Sequence, residues 1–355
     1  MVIQSRAFAR ILLLPFVLLL FCTSLARAQA YQDLHDFAVL AGTPQFPWLM
    51  AQGRDGNLYG VTGTGGTHSK GRIFQITSSG VFTVIHNFNG TDGMTPVGGL
   101  TLGLDGDLYG MAERGGANGE GNIFKISTAG TFSVLYDFKA DTDGGLPVSP
   151  LIVGNDGNFY GTSYPGAAFR MTPAGVVKVI TKLPTYSNGA LQQAKDGSFY
   201  AVSQFGGTQS AGAIFKINGT KVTTVHSFDA ASGSFPTGGL VEGIDGNFYG
   251  TTTAGGALNG GVIYRLTPSG HYHVMYNWDD KNTANGYQAF AGLVAGADGN
   301  LYGATIWGGQ AGYGVIFSMT IDGSYTVLHS MHRPQGDGAY ATPMQHTNGE
   351  LFGIT

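Results

Sequence analysis

Cysteine is almost absent from this sequence: the 355 residues contain one, Cys22. A lone thiol in an apolar N-terminal run offers no disulfide scaffold, so the fold must be held by its core. Charge is scarce as well. Asp, Glu, Lys and Arg make up 11% of the chain, under half the ~25% typical of globular domains. Few charges leave few solvated helix faces, and no amphipathic helical period stands out in the body of the chain. No basic run or patch is present, which argues against nucleic acid as a partner and against anionic membrane surfaces. Glutamate occurs only at Glu113, Glu120, Glu242 and Glu350, so a glycosidase carboxylate pair would have to recruit aspartates. An H-E-x-x-H helix and a phosphate loop with a lysine are both missing. The segment Gly161-Thr162-Ser163-Tyr164-Pro165-Gly166 misses the serine elbow by one residue and lacks its strand-to-helix setting. No cofactor and no metal is expected.

The N-terminus carries an address. Arg6 and Arg10 flank an apolar run over residues 11–21, which leads to Ala26-Arg27-Ala28, a small-x-small cleavage site. Ala28-Gln29-Ala30 is a second possible cut. The run is shorter than the ~20 residues that span a bilayer. Residues 1–28 are therefore expected to be a cleaved signal peptide, leaving an exported chain with no cysteine and no membrane span. Loss of Arg6, Arg10 and Arg27 leaves 15 basic residues against 22 acidic. Localisation is expected to be secreted, periplasmic or at the cell surface.

Glycine and aromatics are what the chain has in plenty. Gly counts 59, about one residue in six against an average near ~7%. With 43% hydrophobic and 12% aromatic residues, disorder is a poor account of it, and fixed glycine places suit tight turns. Asp55-Gly56-Asn57-Leu58-Tyr59-Gly60 returns with starts at Asp105, Asp156, Asp196, Asp245, Asp298 and Asn348. The starts are 50, 51, 40, 49, 53 and 50 residues apart. Such a period marks a repeat architecture.

One unit spans residues 47–88 and reads as four short strands, at 48–51, 58–62, 71–77 and 81–88, joined by turn residues. Four strands per repeat of this length is the pattern of a β-propeller blade. Apolar residues on both alternating positions, as in Ile73/Phe74 and Val84/Ile85, fit a blade covered on both faces better than a sandwich strand. A parallel β-helix has too short a repeat to supply four antiparallel strands. The third strand recurs six times, at Ile73-Phe74, Ile123-Phe124, Ala168-Phe169, Ile214-Phe215, Ile263-Tyr264 and Ile316-Phe317. The fourth strand recurs seven times, the extra copy being Leu34-His35-Asp36-Phe37, ahead of the first full unit. The expected fold is all-β: a seven-bladed β-propeller over residues 31–355, with four-stranded antiparallel blades. Six blades are full, and the seventh is split between the two ends of the chain and incomplete. That blade lacks a third strand, so the chain is expected to be truncated at its C-terminus, with residues 34–37 not hydrogen-bonded to residues 350–355.

The Asp-Gly-x-Leu-Tyr-Gly turn, the Gly-Gly loop and the Ile/Val-Phe strand resemble the GloVer tandem-repeat family of exported bacterial proteins. The resemblance covers residues 31–355. It implies propeller blades and C-terminal surface anchors of several kinds; it implies no reaction and no catalytic residues.

The Asp-Gly-Asn turns contain oxygen ligands suited to calcium, yet Asp-Gly and Asn-Gly are also the preferred residues of tight hairpin turns. Repetition at one structural place favours the turn. Asp141-Thr142-Asp143-Gly144 is closer to a calcium loop but has no glutamate at the required distance. His35, His86, His226 and His329 share one fourth-strand place with Tyr136 and Tyr276, which marks a packing and hydrogen-bonding slot. What varies between repeats is the side chain ahead of each Gly-Gly: Thr64, Arg114, Phe205, Ala254 and Trp307, with Tyr164 in a shortened loop. Unlike side chains on a repetitive scaffold are where function sits. Glu113, Arg114, Tyr164, Phe205 and Trp307 are thus the candidate ligand-binding residues. A binding or surface-interaction module is expected, with carbohydrate or a cell-surface component as partner and aromatic faces stacking on it. A monomer is expected. An extracytoplasmic lyase or hydrolase using the same loop face is the alternative, as is a purely structural surface repeat.

Overall fold

The structure, a computed structural model, describes residues 50–353 except 186, 188, 333–337 and 339–340. The expected signal peptide and the copy at 34–37 lie outside the described residues, as does any pairing between 34–37 and 350–355.

Six sheets of four antiparallel strands follow one another along the chain. In blade one the strands, lettered a to d, are Ala51–Gln52, Leu58–Thr62, Arg72–Ile76 and Phe82–Asn87. Blades two to six begin with strands a at Met94–Leu102, Ile152–Val153, Gln192–Gln193, Val241–Glu242 and Val294–Ala295. Sheet order is a-b-c-d in every one. Among the described residues the helical segments are Ala140–Asp143 and a 3-10 turn at Thr283–Asn285.

The repeat count predicts seven blades, and among the described residues there are six. Among the described residues the seventh repeat forms a two-stranded sheet, Met344–Gln345 with Leu351–Phe352. The described part of that repeat holds the two strands that flank its Asn-Gly turn. This hairpin nonetheless sits between blade six and blade one. Gln345 Oε1 accepts the Ala297 N–H at 2.7 Å, and Gln52 Oε1 accepts the Thr347 N–H at 3.0 Å. Blades three and four are joined by the same bond, from Asn155 N–H to Gln193 Oε1 at 2.7 Å. Met344 and Phe352 also pack on Leu58, Phe74 and Ile76 of blade one.

The core lies between blades. Tyr59, Val61, Ile73 and Phe88 of blade one meet Leu100, Leu108, Phe124 and Ile126 of blade two, and the same contact recurs around the ring. Strand b is buried along its length in all six blades, except for the outer end of Leu108–Arg114. Strand d, expected to be covered on both faces, is only half-buried because it forms the outer edge. Its broken alternation has a second cause. The c–d register shifts between Ile73 and Phe74, and at the same place in every blade. The bulge puts consecutive residues, such as Leu135 and Tyr136, against one neighbouring blade.

Candidate functional site

Each blade presents two loops on one face, the b–c loop and the d–a loop leading into the next blade. Backbone bonds tie them together. Thr95, Leu146, Phe235 and Gln288 open their blades with φ of 54°, 40°, 57° and 57°, a region that side chains other than glycine seldom enter. Each donates its N–H to the preceding blade: to Lys70 O at 2.9 Å, Glu120 O at 2.7 Å and Ala211 O at 2.7 Å in the b–c loop, and to Gly260 O at 2.9 Å at the start of strand c. A strained backbone held at the same place in four blades implies that the surroundings dictate it. For Phe235 the consequence is direct: its ring comes to lie edge-on to Phe205 of blade four, centroids 6.0 Å apart.

The side chain ahead of the Gly-Gly is fixed by a hydroxyl two residues earlier. Thr62 Oγ1 donates to Thr64 O at 2.7 Å, Ser203 Oγ to Phe205 O at 2.7 Å, and Thr305 Oγ1 to Trp307 O at 3.1 Å. Trp307 is further paired to Tyr287 through both backbone N–H groups, at 2.9 and 3.3 Å. The backbone is thus rigid where the side chain is exposed. Trp307 is 44% exposed, Tyr164 47% and Phe205 42%.

The five sequence candidates therefore stand on one face but on four blades. Glu113 and Arg114 are on blade two, Tyr164 on blade three, Phe205 on blade four and Trp307 on blade six. Two of them meet: Arg114 Nε lies 3.4 Å from Glu113 Oε1. Among the described residues no further side chain is hydrogen-bonded to that pair. Trp307 lies two blades from Phe205. Sequence reading missed Phe235, Leu258 and Phe290, which are exposed on the same face. A signal for Phe235 was present, since it precedes a proline as Thr95 and Leu146 do.

The turns at the opposite face are structural. Asp55 accepts from the Tyr59 hydroxyl at 2.7 Å, from Asn57 Nδ2 at 2.8 Å and from the Asn57 N–H at 3.2 Å. Blades three, five and six repeat the set. Burial alone would raise the Asp55 carboxyl, but the hydrogen bonds from Tyr59 and Asn57 outweigh it and hold it below its usual range. Burial, with Asp55 beside it, pushes the Tyr59 hydroxyl up to about 12. These carboxylates are satisfied by their own repeat.

The histidine slot is a stacking place. His86 lies flat on Phe132 of the next blade at 3.8 Å, and His226 on Tyr272 at 3.7 Å; Tyr276 stacks on Tyr325 at 4.2 Å. His86 Nε2 meets Asp92 at 3.0 Å, as the Tyr136 hydroxyl meets Asp143 at 2.6 Å. Burial pulls the His86 ring below its ordinary value, with Asp92 opposing. No group of three or more His, Cys, Asp or Glu side chains suited to a metal occurs among the described residues.

Residues 21–183 and 163–355 match the Gloeobacter/Verrucomicrobia repeat. The chain belongs to that repeat family. No curated protein matches it in sequence. Among solved structures it is similar to the extracellular domain of a protein from B. thetaiotaomicron assigned as a hybrid two-component system. The TM-score is 0.61 at 12% identity, with 87% of this chain and 38% of that one covered. It thus spans well under half of that neighbour. A Thermus thermophilus protein assigned as an oxidoreductase (glucose dehydrogenase) is similar at TM-score 0.51 and 16% identity, with 84% and 96% covered. At such identities the likeness is one of fold, and the site of this repeat protein rests on its own side chains. No helix among the described residues is long and apolar enough to cross a membrane.

Proposed function

We propose that the protein is an exported binding module whose b–c and d–a loop face takes a glycan at the cell surface or outside the cell. The observation that carries this is the grouping of exposed rings. Tyr164, Phe205, Phe235, Phe290 and Trp307 are exposed on the loops of consecutive blades three to six. The remaining large exposed apolar side chains, apart from Leu258, are aliphatic and sit in the turns of the opposite face. Flat rings on a fixed backbone are suited to sugar faces, and preorganisation limits the entropy that binding removes. Export follows from the N-terminal 28 residues and accords with a neighbour that is itself an extracellular domain.

The test is a polysaccharide and oligosaccharide binding screen on the mature chain, followed by calorimetry on any hit. Trp307→Ala and Phe205→Ala are each expected to weaken binding about tenfold or more, since a buried stacking anchor contributes about 2 kcal/mol or more. Circular dichroism should stay unchanged, because both side chains are exposed. Binding untouched by both variants would move the site elsewhere. A dimer in solution that hides these rings would replace the glycan reading with self-association.

A further inference from the structure

Four of the exposed rings form a row whose members are joined through the backbone. Phe205, on the b–c loop of blade four, lies edge-on to Phe235 in the d–a loop that follows, centroids 6.0 Å apart. The Phe235 carbonyl accepts the Thr253 hydroxyl of blade five at 2.9 Å. From the loop that carries Phe235, Thr237 Oγ1 donates to the Phe290 carbonyl at 2.6 Å, one blade further round. Phe290 shares its loop with Tyr287, which is paired to Trp307 of blade six through both backbone N–H groups. The order around the ring is therefore Phe205, Phe235, Phe290, Trp307.

The extent of this row decides what can occupy it. Blades pack face to face, and packed sheets lie about 10 Å apart. From blade four to blade six the row crosses two such spacings, a reach on the order of 20 Å. A mono- or disaccharide touches one end or the other, and only a chain of several sugar units touches both. Nearer the axis, where the chain enters strand a, the backbones close on one another. A methyl added at Gly238 would fall 2.5 Å from Gly292 Cα, and one at Gly189 2.6 Å from the Gly239 nitrogen, a close approach that glycine permits. A ligand of this sector therefore lies across the loops and does not descend between blades four, five and six. Each ring in the row is attached at a hydrogen-bonded backbone group, so the spacing is set before the ligand arrives.

We infer that the ligand is a glycan chain of several units laid along this row, held at the Phe205–Phe235 corner and again at Trp307. The inference rests on the binding function proposed above and narrows it from any sugar to a polymer. Once one end is held, the second contact forms at the high effective concentration that the chain itself supplies. Calorimetry on the mature chain with β-glucan, xylan and mannan oligosaccharides, from disaccharide to octasaccharide, tests this. Affinity in the series that binds is expected to rise about tenfold or more between the two lengths, the size of one stacking anchor. Trp307→Ala should abolish that gain and leave disaccharide binding unchanged, whereas Phe205→Ala should weaken both. A disaccharide bound as tightly as the octasaccharide would overturn the inference and leave a binding module in place. So would a Trp307→Ala variant weakened equally at every length. Absence of binding at any length would overturn the binding function itself.

Discussion

Tyr264 is fully buried, and its hydroxyl has no hydrogen-bond partner. The other five blades place phenylalanine there: Phe74, Phe124, Phe169, Phe215 and Phe317. A buried hydroxyl without a partner loses its hydration for nothing, so Tyr264→Phe is expected to stabilise the protein by about 1 kcal/mol. A midpoint shift upward in chemical denaturation checks this, and a downward shift would reveal a partner for the hydroxyl. His226 is a second residue out of balance. Burial holds its ring below the ordinary 6.5, with Asp229 partly opposing. The fold therefore keeps the neutral ring, and the unfolded chain takes up a proton first as pH falls. Stability is full above about pH 6.5 and declines below it. In His226→Tyr, which copies Tyr136 and Tyr276, the fall in melting temperature from about pH 7 to about pH 5 is expected to shrink. An unchanged pH slope would show that this ring contributes nothing to acid sensitivity. The slot itself was legible in the sequence, because His and Tyr exchange in register. Its partner rings were not, since Phe132 and Tyr272 lie a whole repeat further along the chain.

Strands a to d could be placed from turn residues and β-formers because each unit repeats the same signals. The role of one glycine could not. Glycine counts suggested turns, yet Gly60, Gly110, Gly161, Gly250 and Gly303 lie within strand b, each facing the ring of strand c. A methyl at Gly110 would fall 2.5 Å from Phe124 Cζ, closer than packing allows. Blade four has Ala201 there and tolerates it opposite Phe215, so the ring can yield at some cost. Gly110→Ala is expected to destabilise by about 1–3 kcal/mol, the usual range for an overpacked core. Urea denaturation that gave no loss would mean that blade two can open as blade four has done. The strand-d bulge was hidden for a different reason: Val84-Ile85-His86 reads equally well as a strand covered on both faces. Likewise the exposed rings of the d–a loops were missed, because no periodicity marks a loop and only the strained backbone at Phe235 brings that ring beside Phe205.

The repeat count fixed where blades fall around the ring, and six of them are complete; how the ring closes depends on residues far apart in sequence. The hairpin at 344–352 bonds to blade six and to blade one as blades three and four bond to each other. Met344 and Phe352 of this hairpin pack against Leu58 of strand b and Phe74 and Ile76 of strand c in blade one. The sequence carries one further copy of the strand-d motif, at 34–37. Leu34-His35-Asp36-Phe37 aligns with Ile85-His86-Asn87-Phe88 and with Leu135-Tyr136-Asp137-Phe138. The last residue of this motif is among the most buried in the molecule: Phe88, Phe138, Phe228 and Trp278 are each 0% exposed. Removing such a ring costs about 3–5 kcal/mol, a large part of the net stability of an ordinary domain. Phe37→Ala in the mature chain is therefore expected to lower the melting temperature about as much as Phe88→Ala. A domain this size shifts by several degrees for that loss, well outside measurement error. Should Phe88→Ala melt early while Phe37→Ala melts with the parent, residues 34–37 do not belong to the ring, and the hairpin closes it alone.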